Sequence, residues 1–126
     1  MPVASHLIQP LRDICLAYPD VEEISEGSVG DPVFKAGGKI FAMQHGVDGN
    51  PSIWLKAPAG VQEALIASNP LRTFRPPYVG HRGWVGLWLD DATDWDEVAD
   101  LVDDAWRMTA KKTVIRQFDA QREVAR

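Results

Sequence analysis

Residues 31–44 read DPVFKAGGKIFAMQ, and the two glycines at the centre settle the architecture. Val33 to Ala36 and Lys39 to Gln44 are strand-like runs, and only Gly37-Gly38 separates them. A two-residue turn of the hand that suits twisted strands needs positive φ, which glycine adopts without a steric penalty. The spacing therefore predicts a tight β-hairpin. Asp48-Gly49-Asn50-Pro51 is a second turn signal, and it leads into a strand over Ser52 to Ala57. Trp84 to Leu89 reads as a further strand, and Thr73 to Arg75 as a brief one before Pro76-Pro77. Val21 to Ser25 is short and rich in glutamate, as suits an edge strand protected by charge.

Helical spacing flanks these strands. Leu7, Ile8, Leu11, Ile14, Cys15 and Tyr18 recur on one face. This helix begins either near Ser5 or at Pro10, because proline fits only the first turn, and Pro19 ends it. A second helix follows Pro58, with Val61, Ala64, Leu65 and Ser68 along one side and Asn69-Pro70 as the stop. Asp94 and Glu97 have the spacing of a capping box. They open a helix whose apolar stripe is Trp95, Val98, Leu101, Val102, Ala105 and Met108. Thr113 to Arg126 continues helically through Val114, Ile115 and Phe118, either as a docked tail or as a frayed end. Hairpins imply an antiparallel sheet, so the class is α+β with helices packed on one sheet face. The division expected is one domain over residues 1–110 and a helical tail over 111–126.

A chain of 126 residues supports one hydrophobic core. No apolar run is long enough to span a bilayer, so no membrane partner is expected. The start, MPVASHLIQP, lacks the pattern of a secretory signal, and Cys15 has no second cysteine to pair with. Both features predict a cytoplasmic protein. The net charge of -5 conceals segregation. Asp13 to Asp31 carries six carboxylates and no base, and Asp90 to Asp104 carries eight and no base. Between them lie Lys35, Lys39, Lys56, Arg72, Arg75 and Arg82 against only Asp48 and Glu63. Such asymmetry marks either an electrostatic footprint or opposite blocks that pair across the surface.

The basic region culminates in Leu71 to Asp90, LRTFRPPYVGHRGWVGLWLD. It has no helical period and no metal-ligand or nucleotide-loop spacing. Arg72 to Gly83 reads as a rigid, exposed basic loop that holds cations next to aromatic rings. Strand alternation places Val85, Leu87 and Leu89 on one face and Trp84, Gly86 and Trp88 on the other. It separates Ile53, Leu55 and Ala57 from Ser52, Trp54 and Lys56 in the same way. With the aliphatic sets under the helices, Trp54, Lys56, Trp84 and Trp88 would face outward. Such a face suits phosphates and bases, unless the C-terminal segment or a second subunit covers the rings.

Catalytic patterns are missing from the sequence. His6, His45 and His81 form no ligand pair, no HExxH occurs, and no serine matches a nucleophile elbow. Cys15 sits in an apolar stripe, which predicts a buried and inert thiol. Gly27-Ser28-Val29-Gly30 and Gly37-Gly38-Lys39 lack the spacing of phosphate loops. No cofactor, metal or catalytic residue is expected on these grounds, which favours binding over chemistry.

Four blocks carry a resemblance. They are Asp31-Pro32-Val33-Phe34-Lys35, Gly38-Lys39-Ile40-Phe41-Ala42, Leu55-Lys56-Ala57-Pro58, and Pro76-Pro77-Tyr78-Val79-Gly80-His81-Arg82-Gly83-Trp84-Val85. Together they resemble the MmcQ/YjbR family of small bacterial proteins over roughly Leu7 to Met108. The resemblance implies a frataxin/CyaY-like α+β fold and a DNA-binding role with a winged, hairpin-based contact surface. By position the wing would be Val33 to Gln44, with Lys35 and Lys39 at its tip. Arg75 to Arg82 would form the second contact region.

The expected function is thus non-enzymatic DNA binding. Lys35, Lys39, Lys56, Arg72, Arg75 and Arg82 would meet phosphate, with Tyr78, His81 and Trp84 beside sugar or base. Two other readings stay open. One is a protein-interaction module, a homodimer or partner-docking domain working through the Trp-rich sheet face. The other is a small-anion or metabolite binder using Tyr78, His81 and Arg82.

Overall fold

In the computed structural model, residues 5–24 and 31–124 are described. Ser25, the Gly27–Gly30 segment and the last two residues lie outside that range, so the expectations that fall on them are not addressed. Eleven elements follow in order. They are α1 (Ser5–Leu16), β1 (Val21–Ile24), β2 (Val33–Ala36), β3 (Lys39–Val47), β4 (Asn50–Leu55), α2 (Val61–Ser68), β5 (Thr73–Phe74), a 3-10 turn η1 (Gly80–Arg82), β6 (Val85–Trp88), α3 (Trp95–Thr109) and α4 (Lys112–Val124). The strands form one antiparallel sheet in the order β1-β2-β3-β4-β6-β5. The α+β expectation therefore holds.

The predicted hairpin is β2–β3, and Gly37 and Gly38 turn it with φ of 58° and 85°. β3 runs on to Val47, three residues past the expected end, because its second half pairs with β4. The next turn is Asp48-Gly49, also at positive φ, so Asn50 and Pro51 belong to β4 rather than to the turn. A bulge interrupts β2–β3. Lys35 pairs with Ile40 and Phe34 with Ala42, which leaves Phe41 without a partner and drives its ring into the core at 0% exposure.

Helix α1 begins at Ser5 and tolerates Pro10 inside it. Helix α3 opens as predicted, with Asp94 accepting from the Asp96 and Glu97 amides at 3.1 and 3.2 Å. One sheet face carries Phe34, Ala42, Ile53, Leu55, Val85 and Leu87, and these pack with Ile8, Leu11 and Cys15 of α1 and Val98 and Val102 of α3. Burial pushes the Cys15 thiol well up, which suits an inert side chain. Helix α2 attaches beside β5, where the Thr73 hydroxyl donates to the Leu65 and Asn69 carbonyls at 3.1 and 2.8 Å.

The stripe expected for α3 needs correction at its C-terminal end. Met108 is 51% exposed, whereas Trp106, outside that stripe, is fully buried. Tyr18 and Phe118 enclose Trp106 at ring-centroid distances of 4.9 and 5.1 Å. Helix α4 is thus docked through Phe118 and does not fray away from the domain. The stripe expected for α2 shifts as well. Gln62 is its buried residue, while Ala64 and Ser68 are exposed.

Gly86 has a packing role. A Cβ there would overlap the Phe74 ring, which lies across it and stacks on Trp88 at 4.4 Å. Gly86→Ala is expected to destabilise the domain by about 1–3 kcal/mol through overpacking. Thermal melts check this, with the Phe74→Leu/Gly86→Ala pair recovering part of the loss. An unchanged melting temperature for Gly86→Ala would contradict the packing argument.

Candidate anion-binding cleft

Antiparallel pairing brings sequence-distant cations to one end of the sheet. Lys39 starts β3, and Lys56 follows the last residue of β4, whose neighbour Leu55 pairs with Ala42. Arg82 ends η1, just before Trp84 and β6. These residues line one open cleft of about 500 Å³ together with Ile40, Met43, Val79, Trp84 and Met108. Its floor is apolar and its charged side chains are cationic. Burial lowers the Lys56 pKa from its ordinary value, and the positive charges of Lys39 and Arg82 lower it further. An ammonium crowded by two cations gains most when an anion enters between them. The arrangement can therefore hold a phosphate or similar group against an aromatic and aliphatic wall.

The loop before the cleft is held in shape by two devices. Gln62 is buried and donates its side-chain amide to the Gly80 carbonyl at 2.8 Å and to the Trp84 carbonyl. Sequence reasoning missed Gln62, although a glutamine beside the apolar Val61 on a short helix was the available signal. Tyr78 is the second device. It sits at a φ of 68°, where a bulky residue costs on the order of 1–3 kcal/mol, and its ring is 85% exposed. The Val79 amide donates to the Pro77 carbonyl at 2.7 Å, and the Gly80 amide donates to the Pro76 carbonyl at 3.0 Å. Pro76 is fully buried, which anchors the start of the loop.

The other predicted site residues divide by location. Arg75 is exposed, and its stem lies against Gly80, where a Cβ would collide with it. His81 is exposed on η1 next to Arg82. Lys35 is outside the cleft, paired across the strands with Glu22 on β1. Arg72 is occupied elsewhere. Its guanidinium donates to both Asp90 oxygens at 2.8 and 2.9 Å and to the Trp88 carbonyl at 3.1 Å. That pairing raises the Arg72 pKa and lowers that of Asp90. Arg72 therefore fastens the sheet edge through Asp90.

Two further expectations are corrected. The hairpin tip is covered on one side, because a Cβ on Gly37 would lie 3.5 Å from the Lys111 side chain and 3.8 Å from the Thr109 carbonyl oxygen, whereas the space beside Gly38 is open. The outward Trp face is also mostly absent. Trp54 and Trp84 are only 2% and 5% exposed. Trp54 lies 4.3 Å from the His45 ring, and its indole N–H donates to the Ser52 hydroxyl at 3.0 Å. Trp88 stays half-buried against Phe74. An interaction module built on a row of exposed Trp loses its main anchors here.

Among the described residues, no three His, Cys, Asp or Glu side chains group as a metal site requires. No described helix is long and apolar enough to cross a membrane. The family model described as YjbR matches residues 16–108. The chain is also similar in structure to the Deinococcus radiodurans protein DR2400, a crystal structure with a DUF419 domain. The TM-score is 0.73 at 20% identity, over 84% of this chain and 80% of that one. At that identity the likeness concerns the fold. No curated protein matches the chain.

Proposed function

Because this chain belongs to the YjbR family, with a fold that gathers Lys39, Lys56 and Arg82 at one end of its sheet, we propose that it is a non-enzymatic DNA-binding protein. The phosphate seat is the cleft between those three cations. The observation that carries the reading is the convergence of Lys39, Lys56 and Arg82 on one cleft whose other lining residues bring no carboxylate. Arg75 and His81, exposed on the adjoining loop, extend the basic surface. The exposed carboxylates of α3, among them Asp96, Asp100 and Asp104, repel a polyanion from that helix face.

Three phosphate contacts fix the expected salt dependence. Raising salt from about 50 to about 200 mM should weaken binding roughly 20- to 40-fold by counterion release. Fluorescence polarisation of labelled DNA at the two salt concentrations measures it. Affinity that ignores salt, or no binding at low salt, would refute the reading. The volume of the cleft, about 500 Å³, favours a second reading, a phosphorylated small molecule. If a mononucleotide displaced the DNA at equal molar concentration, this second reading would take precedence.

A further inference from the structure

We infer that the DNA form bound is single-stranded, with Tyr78 serving as the platform on which one unpaired base stacks. This rests on the phosphate seat proposed above and adds what lies beside it. Tyr78 immediately precedes Val79, a cleft-lining residue, and Arg82 lies four positions on. Tyr78 is 85% exposed, while Trp84, which lines the cleft, is 5% exposed. An exposed aromatic with no packing role normally sits on ordinary backbone. Here the backbone is held at positive φ by two hydrogen bonds, two prolines and the Gln62 anchor behind Gly80. Rigid backbone at an exposed ring lowers the ordering cost when something stacks on it.

The chemistry selects the occupant. Cations converging on one cleft, with an exposed π-face on the loop that leads into it, match the phosphate of one nucleotide and the base of a neighbouring one. A duplex keeps its bases stacked on one another and offers a tyrosine only edges. A free strand has open faces, and any base has one, so little sequence preference follows. A duplex would also need a broad basic face. Arg72, which such a face would recruit, is held by Asp90 instead.

The experiment uses the full chain and a labelled single strand of about 15 nucleotides, its duplex, and the same strand with abasic sites. At low salt the single strand is expected to bind about 10-fold or more tightly than the duplex, and the abasic strand is expected to lose most of that gain. Tyr78→Ala should weaken single-strand binding about 5- to 100-fold and leave duplex binding unchanged, while Tyr78→Phe stays within about 2-fold of the parent. Tyr78→Gly suits the positive φ and lacks a ring. If it behaves like Tyr78→Ala, the loss belongs to the ring and not to a misshapen loop. If Tyr78→Gly instead binds like the parent, stacking is refuted. Equal affinity for the two DNA forms, with salt dependence intact, overturns the single-strand inference and spares the phosphate seat. Failure of both forms to bind overturns both.

Discussion

Trp106→Ala is expected to lower stability by about 3–5 kcal/mol, which in a domain of this size lowers the melting temperature on the order of 10–20 °C. Trp106 is fully buried and joins three elements. Its ring meets Tyr18 beyond α1 and Phe118 on α4, and its indole N–H donates to the Pro19 carbonyl at 3.2 Å. Truncation leaves a cavity, strips both partner rings of contact and removes the donor to the Pro19 carbonyl. The neighbouring polar contacts depend on the same geometry. The Tyr18 hydroxyl donates to Asp103 at 2.9 Å, and Arg107 bridges Asp103 and Asp119. Trp106→Phe should recover a good part of the stability, because the stack survives without the hydrogen bond. Met108→Ala, two positions on and half exposed, should be nearly neutral. A Trp106→Ala melt within about 3 °C of the parent would mean that α4 is not part of the core, since even about 1 kcal/mol shifts a domain of this size by that much.

The second large effect is functional. Reversing charge at Lys56 and Arg82 together, Lys56→Glu/Arg82→Glu, is expected to reduce DNA affinity by on the order of 100-fold or more, because like charge against phosphate costs several kcal/mol. Arg72→Ala separates stability from binding. It breaks the pair with Asp90 and should loosen the sheet edge without changing the salt slope. The pH profile has a fixed sign. Lys56 binds phosphate when protonated, and its pKa in the free protein is below that of an ordinary lysine. Affinity should therefore be flat near neutrality and begin to fall at a lower alkaline pH than an ordinary lysine would dictate. Bound phosphate raises the Lys56 pKa again, so binding at that alkaline edge takes up a proton. Equal affinity for the parent and the double reversal would remove the cleft from the functional account.

Local signals were legible in the sequence because their physics is local. Gly37-Gly38 requires positive φ wherever it sits, and Asp94 caps the helix that begins one residue later. The six strands were legible with errors of a few residues at their ends, and the β2–β3 hairpin and the turn into β4 followed from their glycines, whereas the β4–β6 and β5–β6 pairings did not. What failed depends on partners distant in the chain. Alternation put Trp54 and Trp84 on the face away from the aliphatic core, but nothing in a two-residue period tells what else lies over them. Trp106 left the expected stripe because Tyr18 and Phe118 widen the buried arc of α3. Arg72 looked like its basic neighbours until Asp90, eighteen positions away, proved to hold it. Lys39, Lys56 and Arg82 were each named from composition, yet their convergence comes from strand register, which sets three separate turns at one end of the sheet.

Strand β6 lies between β4 and β5, although it follows both in the chain. The first four strands are neighbours in sequence as well as in space, so each closes onto its predecessor over a short span. Strand β6 must return from beyond α2, and the two residues of β5 have no edge to join before it arrives. Loops that span more chain close later, because more entropy is lost in closing them. The segment 75–83 is tethered between these two latecomers. Its unusual turn at Tyr78 therefore takes shape only once β6 has joined the sheet, so whatever disturbs the docking of β6 disturbs that loop as well.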